Sequence, residues 1–302
     1  MKIYRDLESF PDDDVALTIG NFDGVHRGHR ALIQRLLKKA MASSAVPTAV
    51  TFDPHPQQVL RGQPPQALVT LDKKLELLAA CGIERLVMLR FTQQLASLEP
   101  EDFVLDVLMK MKMTSIVVGS NFRFGRMARG DVTMLKGFGK EHDFDVDGVR
   151  LATRLGRTVS STEIRHALAA GDVEWAKKAL GRWHSVPGTV ERGAGRGRQL
   201  GYPTANVRPA DVVVPGEGVY AGVAIVEGGP VAAAISIGTN PTYGENPISI
   251  EAHLLDWDAD IYGAKIELEF LGRLRDQRTF ATQPKLVDAM GKDVKEVKRR
   301  TR

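Results

Sequence analysis

What most constrains the fold of this chain is a change in its apolar rhythm partway along. Over the first 180 or so residues, short β-type runs alternate with longer stretches of helical period. Val15–Gly20, Thr48–Phe52, Arg85–Arg90, Ser115–Gly119 and Phe144–Val149 read as strands, and Arg30–Ala42, Asp72–Cys81 and Pro100–Met113 as helices between them. A helix between successive strands lets them run parallel, and a parallel sheet needs cover on both faces. The expectation is an α/β parallel-sheet, Rossmann-like N-terminal domain.

The rhythm changes after "VSSTEIRHALAAGDVEWAKKALG", where Gly171 and Gly181 read as helix stops and Asp172 as the intervening N-cap. From about Ser185 the chain is rich in glycine and in β-type segments: Gly218–Glu227, Pro230–Ile237, Ser249–Leu255 and Lys265–Phe270, separated by turns such as "EGGP" and "TNPTYGENP". That spacing predicts a small antiparallel β-barrel as the C-terminal domain, capped by a terminal helix over Pro284–Lys298. The boundary falls near residues 181–186, giving domains 1–182 and 183–302, each long enough to bury its own core.

Composition removes several classes of function. A lone Cys81 cannot form an internal disulfide, and no Cys/His zinc spacing occurs, which fits a cytoplasmic protein. The acidic start "MKIYRDLESFPDDD" has no apolar signal region, and no run approaches the roughly 18 apolar residues of a membrane span, so no membrane partner is expected. The 41 basic and 37 acidic side chains leave a net charge of +4, much of it in "KDVKEVKRRTR". No basic stripe interleaved with aromatics accompanies it, so no nucleic-acid partner is expected. The sequence is compatible with a homo-oligomer but does not fix the oligomeric state.

Chemistry concentrates in four places. In "GNFDGVHRGH", His26 and His29 stand three apart at a strand–loop–helix junction, on one face of the helix start. Exposed N–H groups and the positive dipole end attract phosphate there, while glycines 20, 24 and 28 let a ligand approach the backbone. "SSTEIR" carries a Ser160-x-x-Glu163 capping box, with Ser161, Thr162 and Arg165 able to form a second phosphate cradle. In "GAGRGRQLGYPTANV", Gly193, Gly195, Gly197 and Gly201 give a loop whose N–H groups could wrap phosphate. Thr204 and Asn206 offer neutral oxygens on one face of an extended segment, a donor set suited to Mg²⁺. Finally, Glu251 stands in an alternating strand, where a carboxylate can accept a hydroxyl proton.

Taken together, these strings resemble a known family. "GNFDGVHRGH" and "SSTEIR" are similar to the paired motifs of HxGH nucleotidylyltransferases in the longer form found in bacterial FAD synthetases. "GYPTAN", "GVYAG", "SIGTNPTYG", "EAHLLDWDADIYG" and "LRDQRTF" resemble riboflavin kinases, with Tyr202 where phenylalanine is frequent. The resemblance spans nearly the whole chain and implies a bifunctional enzyme of flavin cofactor synthesis. One domain would phosphorylate riboflavin to FMN; the other would adenylylate FMN to FAD, releasing pyrophosphate. It implies that His26 and His29 stabilise the adenylyl transfer, that Gly20, Phe22, Gly24, Ser161, Thr162 and Arg165 hold ATP there, and that Pro54, Pro56, Asn121 and Phe124 hold the flavin. For the kinase it implies ATP held by Gly195, Gly197, Gly201, Thr204 and Asn206, Mg²⁺ held by Thr204 and Asn206, and Glu251 as the base. Two competing readings are a transferase for another phosphorylated acceptor and a nucleic-acid-binding barrel fused to a degenerate nucleotide fold.

Overall fold

The structure, a computed structural model, describes residues 1–150, 152–154, 156–193, 195–239 and 248–301. In the first part six strands run parallel: β1 (Lys2–Tyr4), β2 (Val15–Ile19), β3 (Val46–Asp53), β4 (Arg85–Arg90), β5 (Met113–Gly119) and β6 (Asp145–Val149). Their order across the sheet is β1-β4-β3-β2-β5-β6. All five residues of β2 are buried, as expected of a central strand covered on both faces. Val15, Leu17 and Ile19 join Ile116, Val118, Phe103, Leu108 and Met111 in one apolar cluster.

The helices are α1 (Arg27–Ser43), α2 (Pro56–Arg61), α3 (Leu71–Ala80), α4 (Gln93–Ser97), α5 (Pro100–Phe103) and α6 (Val132–Glu141). The expected helix Pro100–Met113 starts at Pro100 but passes through a π turn at Val104–Leu108 and a 3₁₀ turn at Met109–Met111. It ends before left-handed Lys112 (φ 45°), so Met113 already belongs to β5. The sequence reading missed β1, a three-residue edge strand with little burial, and α6, whose two glycines lower its helix propensity. Gly139 in α6 is required by packing, because a Cβ there would come 2.9 Å from Val146 Cγ2. Two short strands, β7 (Thr153–Arg154) and β8 (Arg157–Thr158), pair antiparallel.

The second part begins with α7 (Ser161–Ala169) and α8 (Val173–Leu180). Six antiparallel strands follow: β9 (His184–Glu191), β10 (Ala205–Pro209), β11 (Gly218–Val226), β12 (Gly229–Thr239), β13 (Ile248–Leu254) and β14 (Lys265–Arg275). They close into a barrel in the order β10-β13-β12-β11-β14-β9, with β9 pairing β10. α9 (Arg196–Gln199) lies between β9 and β10, and α10 (Gln283–Arg300) ends the chain. The barrel core holds Tyr220 edge-on to Phe270, with Ile235, Ile250 and Leu268 fully or almost fully buried. The expected turn over residues 239–247 lies almost wholly outside the described residues.

By packing, the chain divides into 1–66 with 71–160, and 67–70 with 161–302. Helices α7 and α8 therefore group with the barrel, where the sequence reading put them in the first domain. The contacts explain it: Arg273 of β14 reaches the Ala170 carbonyl, Arg300 of α10 pairs with Glu174, and the Gly216 N–H donates to the Leu168 carbonyl. The basic end of α10 is largely neutralised within the fold, Lys298 by Asp256, Arg299 by Glu296, and Arg300 by Glu296 and Glu174.

Candidate active sites

In the first unit the loops after β2, β3, β4 and β5 all leave the carboxyl edge of the sheet, where parallel α/β sheets open their ligand crevice. The loop after β2 is tightly wound: Phe22 and Val25 take positive φ values of 49° and 39°, and Gly24 one of 77°. It delivers His26 as the N-cap of α1, its Nδ1 accepting the His29 backbone N–H at 3.3 Å. The two imidazoles stack with centroids 3.6 Å apart and planes 16° apart. Gly28 makes room for this, since a Cβ there would sit 3.0 Å from His26 Cε1. Phe22 is fully buried and meets His29 edge-on at 5.2 Å, so its ring props the histidine instead of facing a ligand.

Electrostatically the pair is not simply cationic. Burial, then the neighbouring His26 and Lys74, push the His29 imidazole well below its ordinary value, so it is neutral at pH 7. Its Nδ1 is buried and has no hydrogen-bond partner among the described residues. Lys74 is a functional candidate that sequence reasoning missed. It lies half-buried on α3, its ammonium pushed down by burial and partly restored by Asp23 and Asp53. In "LDKKLELL" it reads only as one of two lysines on an amphipathic helix, and nothing local separates it from its neighbour.

Beside this turn lies a cleft of about 1060 Å³ lined by Phe52, Phe91, Phe103, Phe122, Phe124 and Pro56, with Gly20, Asn21, Leu60 and Met127 also on its wall. Phe52 meets Phe91 edge-on at 5.3 Å, and Phe122 stacks on Phe124 at 5.5 Å. A cleft walled by five phenylalanine rings, with Asn21, Gln93, Ser97, Arg123 and Arg126 also on its wall, suits a planar heteroaromatic ligand that carries polar groups. Of the expected flavin residues, Pro56 and Phe124 line it, while Pro54 and Asn121 do not. The Asn121 amide lies over Gly119, where a Cβ would come within 2.9 Å of it. Phe91 and the α4 residues Leu95 and Ala96 complete the wall. They follow β4, where only the strand-end rule could have found them. Ser161, Thr162 and Arg165 occupy the first turns of α7, where the capping-box pattern put a helix start.

In the second unit, Thr204 and Glu251 meet. Cross-strand register pairs Asn206 of β10 with Glu251 of β13, and the Thr204 hydroxyl donates to Glu251 Oε2 at 3.2 Å. Both line a cavity of about 610 Å³ with Gly197, Tyr202, His253 and Arg275. His253 sits 2.7 Å from the Pro203 carbonyl and edge-on to Tyr202, which fixes the PTAN turn. Gly195 and Gly201 take positive φ values of 67° and 82°. Gly197 has no room for a Cβ beside Tyr202 and Thr204, and Gly193 none beside the Asn206 amide. Asn206 itself is not on the cavity wall. Arg275, unassigned from sequence, is held bidentately by Asp293 of α10 at 2.8–3.1 Å with its guanidinium 5.5 Å from the Phe280 ring. No cluster of three or more His, Cys, Asp or Glu able to hold a metal occurs among the described residues.

Comparison with known proteins identifies the family of each half of the chain. The FAD synthetase family model matches residues 10–163 and the riboflavin kinase model residues 180–301. The chain is 35% identical over 299 residues to the bifunctional riboflavin kinase/FMN adenylyltransferase of Escherichia coli K12, covering 97% of this chain and 96% of that one. It is 34% identical to the protein of the same description from Bacillus subtilis, covering 93% and 90%. A solved structure described as a macrolide-efflux protein from Streptococcus pneumoniae superposes with a TM-score of 0.90 at 28% identity, covering 98% of each chain. Among the described residues of the present chain, no helix is long and apolar enough to cross a membrane.

Proposed function

This chain belongs to the bifunctional riboflavin kinase/FMN adenylyltransferase family, converting riboflavin to FMN and FMN to FAD with ATP, and we propose that each reaction is confined to one of the two clefts. The observation that carries the division is the separation of the two chemistries: the stacked imidazoles belong to one packed unit, and the Thr204–Glu251 pair to the other.

In the kinase cleft, the riboflavin 5′-hydroxyl oxygen attacks the γ-phosphorus of ATP, the bond from that phosphorus to the β,γ-bridging oxygen breaks, and ADP leaves. Glu251 takes the hydroxyl proton as general base. The Thr204 hydroxyl fixes the Glu251 carboxylate by donating to Oε2. Neutral and anionic oxygens such as those of Thr204 and Glu251 suit a hard cation such as Mg²⁺, which keeps waters and phosphate oxygens as most of its ligands. Thr204 would hold it from the cavity wall, where Asn206 does not stand, and it would neutralise charge on the ATP phosphates.

In the aromatic cleft, an FMN phosphate oxygen attacks the α-phosphorus of ATP and pyrophosphate leaves. His26 and His29 act as hydrogen-bond donors to the charge that develops. Donors fixed by stacking and capping act without reorganising as the reaction proceeds. Cytoplasmic surroundings, with reduced thiols, suit the free Cys81.

A time course with riboflavin, ATP and Mg²⁺, resolved by chromatography, tests this reading. FMN should appear first and FAD after it, and supplied FMN should give FAD without riboflavin. Absence of any phosphorylated flavin would overturn it.

A further inference from the structure

His55, which the mechanism above leaves idle, is tied at both ring nitrogens. It is the N-cap of α2, its Nδ1 accepting the Gln57 N–H at 3.2 Å. Its Nε2 lies 3.0 Å from the Asn21 side-chain amide, placed with Nδ2 toward the ring, and Asn21 stands on the wall of the aromatic cleft just after β2. A neutral imidazole has one acceptor nitrogen and one N–H. Because Nδ1 accepts, the proton is on Nε2, and Nε2 must donate. The group facing it is then the Asn21 carboxamide oxygen, because an amide nitrogen there would set donor against donor. The two ends of an asparagine amide are settled by such networks. With its oxygen held by His55, the NH₂ takes the other end of the Asn21 amide, on a residue that lines the cleft. The Asn21 backbone is tied as well, its carbonyl accepting the Thr51 hydroxyl at 3.5 Å.

We propose that His55 is a positioning residue for the adenylylation reaction: through Nε2–H it locks the Asn21 carboxamide so that its NH₂ is presented to an oxygen of the bound flavin substrate. This rests on the aromatic cleft being the FMN site. The contact exists before and during the reaction alike, so it strengthens binding and leaves the chemical step alone.

The test separates capping from positioning. In His55→Asn, asparagine is itself a good N-cap, so α2 keeps its cap, but the shorter side chain does not reach Asn21. With ATP saturating, His55→Asn and Asn21→Ala should each raise KM for FMN about tenfold, the worth of one hydrogen bond to a polar ligand atom. In both, kcat should stay within about threefold, and the double variant should be no worse than either single one, because one device is lost in each. KM for riboflavin in the kinase reaction should not move. A wild-type KM for FMN in His55→Asn would reduce His55 to a cap and overturn the proposal, as would additive losses in the double variant. Leu60→Asp, an exposed change on the same cleft wall, checks the premise separately. An unchanged KM for FMN there would show that the flavin sits elsewhere. A raised KM there, with wild-type behaviour at His55 and Asn21, would sink the positioning role alone.

Discussion

His26 and His29 stack their imidazoles 3.6 Å apart, and the Nδ1 of the first accepts the backbone N–H of the second. The capping contact makes Nδ1 of His26 an acceptor, so its N–H lies on Nε2, and burial pushes the His29 imidazole well below its ordinary value. The pair therefore presents directional donors in place of two mobile charges. His29→Ala removes one donor, worth roughly 3–4 kcal/mol by analogy with oxyanion-hole donors. FAD formation from FMN should fall by about two to three decades while FMN formation from riboflavin continues. Loss of both activities in one folded preparation would contradict the division of labour.

Gly28→Ala tests the stack without replacing either imidazole. The new Cβ would press on Cε1 and Nδ1 of His26 at 3.0 and 3.1 Å, so the ring must shift by a few tenths of an ångström. The expected result is a fall of about tenfold or more in the adenylylation kcat, since small misplacements of positioned groups are costly. The kinase rate should be unchanged. A wild-type FAD rate would show that the ring position is not critical.

His184 gives the barrel an acid sensitivity. It is buried, its Nε2 lies 2.7 Å from the Val213 carbonyl, and burial lowers its pKa from 6.5 to about 4, with the Val213 contact opposing that shift and Arg182 adding to it. The folded chain thus holds the ring neutral where the unfolded chain would protonate it. Stability is fully present above about pH 6.5 and is lost as pH falls towards 4, by up to about 3 kcal/mol. Urea melts followed by kinase activity across this range should show the loss, and His184→Gln should flatten it. An equal slope in the variant would assign the acid sensitivity elsewhere.

The packing of α8 predicts where the barrel can be cut. Trp175, Ala176, Ala179 and Leu180 are buried, and Lys177 lies 3.6 Å from the Trp183 ring centroid. A fragment of residues 161–302 should be more stable than one of 183–302 by at least about 3 kcal/mol, the order of cost for removing one buried aromatic. Equal melting temperatures would mean that α7 and α8 add nothing to the barrel.

Much of the fold was legible because periodicity reports burial directly. β4 matches the expected run Arg85–Arg90, and the other four expected strands of the sheet are found within two residues of their reading. His26, His29, Thr204 and Glu251 were singled out by the family resemblance of their motifs, because residue type and spacing alone fit ordinary caps, loops and strand carboxylates equally well. Sequence could not show that Phe22 faces inward to His29 or that Asn121 folds over Gly119, because both depend on loop dihedrals set by several turns at once. Lys74 and Phe91 were invisible for another reason: each reaches its site from an element distant in sequence and looks ordinary on its own element, while Arg275 stands in the quoted LRDQRTF string without a role that the string itself reveals. The assignment of α7 and α8 to the barrel likewise depends on long-range contacts such as Arg300 with Glu174.

The most direct measurement is made on Glu251→Gln, assayed twice on one preparation: FMN formed from riboflavin, and FAD formed from supplied FMN. Glutamine keeps the shape and an oxygen able to accept from Thr204, but cannot take the proton of the 5′-hydroxyl. The account predicts that FMN formation falls by roughly 10²–10⁴, the usual worth of a positioned general base, while FAD formation stays at the wild-type rate. Near-normal FMN formation would remove Glu251 from the mechanism, and a matching loss of FAD formation would show that the two chemistries are not confined to separate clefts.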